Sequence, residues 1–246
     1  HESPFDNALI DRLRAFGSVF FTGGDQSRIV GTLVQEEIET PALLAIRELY
    51  QQGGLISGSS AGAAIMSGPM IRGGTSLNAI SRGLASDDDD DYDAFFLGRG
   101  LGFFRWGLVD QHFLQRGRIG RLFAAARELD EPLAFGVDEN SALFVSGQQG
   151  EVVGETGVLL LDLRKARFDR SDYLVEDARV SYLDDGERVN LRTGRVEPAS
   201  DKQRGRVGRH AYRSPAPVRR HAFSSYGVHD RMLRLVEGDP EYYAND

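Results

Sequence analysis

The sequence predicts an α/β protein: a mostly parallel sheet with helices on both faces, followed by a β-rich C-terminal region. Three observations carry that reading. Short apolar runs alternate with amphipathic stretches from Ser18 to Val137, the pattern of repeated βαβ units. The points where an apolar run gives way to a helix are rich in Gly, Ser and Ala, as in "GGLISGSSAGAAIMSG". From Glu151 the texture changes to short runs separated by turn residues, which read as antiparallel β structure.

Taken in chain order, "FDNALIDRLRAFG" spaces its apolar residues helically and stops at Gly17. "SVFFTGG" is a short strand ending in two glycines. In "TPALLAIRELYQQGG", Thr40 supplies a cap, Pro41 fits the first turn and Gly53 ends the helix. "LIS" is a second strand and "SAGAAIMSG" a second strand-to-helix turn. "GLVDQHF" is a third strand, an arginine-rich helix spans about Gln115 to Arg127, and "LAFGVDEN" is a fourth strand. In such sheets, reactive groups gather at the carboxyl ends of the strands. Beyond Glu151, "DGE" and "RTGR" read as hairpin turns. "DKQRGRVGRHAYRSPAPVRRHAF" is basic, lacks periodicity and reads as a loop or linker. The expected division is a catalytic α/β domain over 1–163 and a β-rich, loop-rich region over 164–246.

Composition narrows the function. The 246 residues carry a net charge of −8, which argues against a nucleic-acid partner, since phosphate binding needs a basic surface. No apolar run is long enough for a membrane span. Cysteine is absent, which excludes a thiol nucleophile, a disulfide frame and a cysteine metal site. Lysine is confined to Lys165 and Lys202. The chain begins at His1 and soon enters a helix, so the expectation is that the native N-terminal strands are missing here. A signal peptide ahead of them would make the protein secreted or periplasmic; otherwise it is cytoplasmic.

Gly58-Ser59-Ser60-Ala61-Gly62 fits the G-x-S-x-G nucleophile elbow. That turn is so sharp that its neighbours must be small. It lifts Ser60 above the sheet edge, with Ser59 a small flanking residue and the N–H of Ala61 facing a developing oxyanion. The competing reading is a Gly/Ser turn that merely caps a helix. A serine needs a base, and His112, at the end of "GLVDQ", is the candidate. The base needs an acceptor to fix its tautomer, and "AFGVDEN" offers Asp138 or Glu139. The order Ser, His, acid differs from that of the α/β-hydrolases. In "FFTGGDQSRI", Gly23 and Gly24 permit close backbone approach to a ligand, and Asp25 can cap the following helix. The run Asp87–Asp93 reads as a solvated acidic loop, without the spaced glycine and glutamate of a calcium site. Phe95, Phe96, Phe103, Phe104 and Trp106 read as core.

The ordered motifs "FTGGDQ", "GSSAGAAIMS", "VDQHFLQRGRIGRL" and "GVDENSAL" together resemble the cyanophycinases, serine peptidases related to the aspartyl dipeptidases, densely from about Val19 to Val145. The resemblance implies a three-layer flavodoxin-like fold close to the class I glutamine amidotransferases, with serine in place of cysteine. It implies hydrolysis of cyanophycin, a poly-aspartate bearing arginines on its β-carboxyls, to β-Asp-Arg dipeptides, with no metal or cofactor. Carried over by position, it makes Ser60 the nucleophile, His112 the base and Glu139 the third member. Gly24 and Ala61 become the oxyanion donors, and Gln26, Asp110, Gln111, Arg116 and Arg121 line the substrate site. Ser59 stands where the family usually has threonine. Arginine forks suit carboxylates independently of the resemblance, and Asp110 suits a substrate guanidinium. A homodimer is a further expectation. The rivals are a related aspartyl dipeptidase or other acyl hydrolase of the same fold, and a non-catalytic polymer-binding member.

Overall fold

The computed structural model describes residues 3–86, 94–168, 175–200, 202 and 223–237. The Asp87–Asp93 run and most of the basic stretch after Asp201 lie outside them. The chain divides into two units, His1–Arg72 with Leu97–Gln111, and Gly73–Phe96 with His112–Asp246.

In the first unit the elements run α1 (Asn7–Ala15), β1 (Ser18–Phe21), α2 (Gln26–Leu33), β2 (Val34–Gln35), β3 (Ile38–Glu39), α3 (Pro41–Gln51), β4 (Leu55–Gly58), α4 (Ala61–Ala64), β5 (Pro69–Gly73), β6 (Phe96–Arg99) and β7 (Leu108–Gln111). The caps follow the local chemistry. Asp25 accepts from the N–H groups of Ser27 and Arg28, and Thr40 from that of Leu43, with Pro41 in the first turn. β1 and β4 pair in parallel, Ser18 opposite Leu55 through Phe21 opposite Gly58. Val19, Phe21 and Ile56 pack against a core of Leu43, Ile46, Ile65, Met70, Leu101 and Phe103. Alternate β1 residues face the other way, and Phe20 stays 62% exposed, so this strand has one covered face where two were expected. Arg47 joins α3 to the rest of the unit. It forks onto Glu39 at 2.6 and 2.7 Å, donates to the Leu101 carbonyl and lies over the Phe103 ring. The same guanidinium holds the Glu39 carboxyl below the usual carboxylate range.

The second unit adds α5 (Ser76–Ser81), α6 (Ile119–Glu128), β8 (Leu133–Val137), β9 (Ser141–Ser146), β10 (Gln149–Gly154), β11 (Val158–Asp162), β12 (Arg167–Phe168), β13 (Val175–Glu176), β14 (Arg179–Leu183), β15 (Arg188–Asn190), β16 (Arg195–Glu197) and α7 (Gly227–Glu237). Here β11 is antiparallel to both β8 and β14, and β10 to both β9 and β15. The strands from Glu151 onward are antiparallel, as their texture predicts, but β8, expected in the mostly parallel sheet, also pairs antiparallel, so the sheets are mixed. The reason is the connection. A parallel pair needs a crossover, usually helical, but between β8 and β11 the chain makes the β9–β10 hairpin and no helix. "RTGR" turns a true hairpin, β15–β16, whereas "DGE" leads from β14 to β15, which pair with different partners. Phe95, Phe103 and Phe104 are buried, as expected of core residues, whereas Phe96 and Trp106 are only half-buried.

The arginine-rich helix begins later than expected. Arg116 and Arg118 precede α6, in a turn over 112–118 where Gly117 is left-handed at φ 59°. A Cβ on Gly117 would lie 2.0 Å from the Phe223 carbonyl oxygen, so the interruption is built into the packing.

Candidate active site

The serine turn is shaped by backbone crowding. β4 ends at Gly58, the Ser59 N–H donates to the Phe21 carbonyl at 3.0 Å, and α4 begins at Ala61. Ser60 between them has φ 55° and ψ −115°, and its side chain makes no cap bond to α4. Ser60 thus stands at the N-cap position of α4 without using its hydroxyl as the cap. A non-glycine residue in this region costs about 1–3 kcal/mol and persists only where the surroundings enforce it. Two glycines leave room for the tight turn that holds it. A Cβ on Gly58 would sit 2.2 Å from the Gly62 carbonyl oxygen, and one on Gly62 would sit 2.1 Å from that of Phe21. On the other side, Gly23 lies so close that its Cβ would fall 3.2 Å from that of Ser60. Gly24 is a glycine for a different reason, its φ of 139°. Gln26, at the start of α2, donates to the carbonyls of Ile71 and Arg72.

A direct test follows. Gly62→Ala should destabilise the protein by about 3 kcal/mol or push the elbow out of place. Gly31→Ala in α2, where a Cβ has nothing within 4 Å, should stabilise it by about 0.5–1 kcal/mol. Urea midpoints of the two variants moving in the same direction would contradict this account of the turn.

His112 follows β7 directly and is also left-handed, at φ 46°. Its Nδ1 lies 2.6 Å from Glu139 Oε1, with the two side chains 22% and 37% exposed. A carboxylate acceptor makes Nδ1 the protonated nitrogen and leaves Nε2 as the basic one. Of the two acids left open by the sequence, Glu139 meets the imidazole. Asp138 is 3% exposed and its Oδ1 accepts backbone N–H groups instead. The histidine is held from below by Phe113, whose N–H donates to Val137 O and whose ring presses on Gly136 so closely that a Cβ there would come within 2.3 Å of it. The start of the C-terminal helix grips the same turn, the Tyr226 N–H donating to Leu114 O at 2.6 Å. Thr156 donates its hydroxyl to the Glu139 carbonyl and bonds Ser141. Burial, and then the charge of Asp138, pushes the nearby Tyr182 phenol up to about 12.

The remaining expected site residues fall in different surroundings. Arg116 is exposed. Arg121 is 3% exposed, its Nη1 donating to Gly74 O at 2.7 Å and its N–H to Ser76 Oγ. Asp110 and Gln111, in β7, are 1% and 7% exposed, and the Asp110 carboxylate accepts the Gln111 N–H. Sequence reading passed over Thr156, Tyr226 and Gly136. Only the last carries a local signal, a glycine inside an apolar strand, which marks close approach of another group.

A strained serine on a strand-to-helix turn and a histidine paired with a carboxylate are the parts from which serine-type hydrolases are built. Residues 1–153 match the model of peptidase family S51. The chain belongs to that family. It is 33% identical over 196 residues to the cyanophycinase of Trichormus variabilis, an alignment covering 76% of this chain and 61% of that protein. It is 32% identical over 198 residues to the cyanophycinase of Synechococcus elongatus, covering 77% and 57%. The chain thus spans about three fifths of the length of these curated relatives. Among solved structures, a peptidase from an acI-B1 actinobacterium superposes with a TM-score of 0.49 at 23% identity, covering 76% of this chain and 64% of that one.

Proposed function

We propose that this chain is a serine exopeptidase that hydrolyses cyanophycin to β-Asp-Arg dipeptides. The observation that carries the reading is the backbone of Ser60, held at φ 55° and ψ −115° in a turn whose flanking glycines admit no Cβ. The similarity to proteins named cyanophycinases supports the choice of substrate. Ser60 Oγ attacks the carbonyl between two aspartates and its proton passes to His112 Nε2. The N–H groups of Gly24 and Ala61 receive the oxyanion. Collapse of the tetrahedral intermediate breaks the C–N bond, and His112 returns the proton to the leaving amine. Water then releases the acyl group by the reverse sequence. Glu139 orients the imidazole and stabilises its charged form. Exposed Arg116 reads the substrate's terminal carboxylate. Gln26, Asp110, Gln111 and Arg121 line and shape the substrate site. The catalytic parts lie within 1–163, in the flavodoxin-like, three-layer arrangement implied by the motifs.

Incubation with purified cyanophycin, beside N-terminal-aspartyl dipeptides, followed by mass analysis, tests this directly. β-Asp-Arg should accumulate from cyanophycin. Cleavage of the dipeptides alone would transfer the chain to the aspartyl dipeptidases. No cleavage of either, in protein that a serine-directed phosphonate fails to label, would remove the catalytic reading.

A further inference from the structure

Asp138 and Glu139 are adjacent, yet only Glu139 meets His112. Asp138 Oδ1 accepts the N–H of Glu139 at 2.9 Å and that of Gln115 at 3.4 Å. Its own N–H donates to Gly157 O at 3.2 Å. Oδ2 is buried and has no hydrogen-bond partner among the described residues. A carboxylate enclosed with one oxygen unused is a costly occupant for a packing position. What this one does is grip two segments at once. Gln115 stands three residues after His112 in the same turn, and the other donor is the N–H of Glu139 itself. The Phe113 N–H to Val137 O bond, 3.3 Å, runs beside it between the same two segments.

We propose that Asp138 is a positioning residue, tying the turn that carries His112 to the strand end that carries Glu139 so that their 2.6 Å contact is held before substrate arrives. The inference rests on the reading of His112 and Glu139 as the catalytic pair. It differs from a general role in folding because it acts through one acceptor oxygen. Asn at 138 retains that oxygen, whereas Ala does not.

The test uses Asp138→Ala and Asp138→Asn in the full chain, with two readouts. The first is the far-downfield proton resonance of His112 Nδ1–H, assigned by its loss in His112→Asn; it needs no substrate. The second is kcat and KM on cyanophycin, per active site titrated with a serine-directed phosphonate. Asp138→Ala should broaden or lose the resonance and lower kcat by about 10²-fold, since small misplacements of reacting groups cost that much. KM should stay within about threefold, the signature of a loss confined to the transition state. Asp138→Asn should recover both signals. A folded Asp138→Ala that keeps the resonance and the wild-type kcat overturns the proposal. So does an Asp138→Asn that behaves like Ala or does not fold, because charge or the fold, and not the acceptor, would then be what matters. A wild-type chain that shows the resonance and its dependence on residue 138 but leaves cyanophycin intact refutes the substrate and supports the positioning role. An active enzyme whose resonance ignores residue 138 does the reverse.

Discussion

Replacing Ser60 should separate activity from stability in opposite directions. Ser60→Ala removes the hydroxyl proposed as the nucleophile and should lower turnover by at least about three orders of magnitude, as when a nucleophile that acts with its base as a unit is lost. Its stability should hardly change, because alanine at φ 55° and ψ −115° bears the same backbone strain as serine. Ser60→Gly should be equally inactive yet more stable. Relief of about 1–3 kcal/mol of strain outweighs the roughly 0.5–1 kcal/mol of extra chain entropy that glycine loses on folding. The net gain of about 1 kcal/mol corresponds to a rise in Tm of about 2–4 °C for a chain of this size. Thermal unfolding and cyanophycin turnover of the two variants, measured side by side, decide the matter. Near-normal turnover by Ser60→Ala ends the assignment of the nucleophile. A glycine variant less stable than the alanine one would show that the left-handed serine is not a strained residue held in place for chemistry.

What could be read from the sequence followed from rules that act within a few residues. Thr40 and Pro41 start α3, and Asp25 caps α2, because capping is a matter of adjacent side chains and N–H groups. The elbow was legible for the same reason, since a turn that tight admits only small neighbours, and Gly58 and Gly62 are both needed. Pairing between distant strands has no such local signature. The texture around "VLLLD" signals antiparallel structure, but nothing in "LAFGV" says that β8 is its antiparallel partner; that follows from the absence of a helix between them. The local pattern at Asp138 and Glu139 left both acids open, and only the resemblance carried by the four ordered motifs pointed to Glu139, because which neighbour meets the imidazole is set by the backbone path beyond the end of β8. The start of the arginine-rich helix was misplaced for another reason: Gly117 is left-handed and α6 starts at Ile119, so Arg116 is exposed in the preceding turn and Arg121 is enclosed. Thr156 lies on a later strand connection, and only the folded chain brings its hydroxyl to the Glu139 carbonyl.

Glu139→Gln should be the most damaging change that leaves every heavy atom of the site in place. The glutamine matches glutamate in shape, so packing and Tm should be close to wild type. What changes is the partner of His112 Nδ1, 2.6 Å away. In the proposed mechanism the carboxylate accepts the Nδ1–H, which leaves Nε2 unprotonated, and its charge stabilises the imidazolium formed when Ser60 gives up its proton. The amide offers no charge. If its NH2 turns toward Nδ1, it favours the tautomer with the proton on Nε2, which cannot act as a base. The expected loss in kcat is about 10³–10⁴-fold, the order seen when a triad carboxylate becomes an amide, with KM changed by no more than about threefold. Phosphonate labelling of Ser60 should slow in parallel, because it too needs the serine proton removed. Asp138→Asn provides the contrast: it also neutralises a carboxylate in the same pair of acids, but not the one that faces the imidazole. If Glu139→Gln retains kcat within about tenfold of wild type while folded, the pair is a structural contact, and the serine must find its base elsewhere.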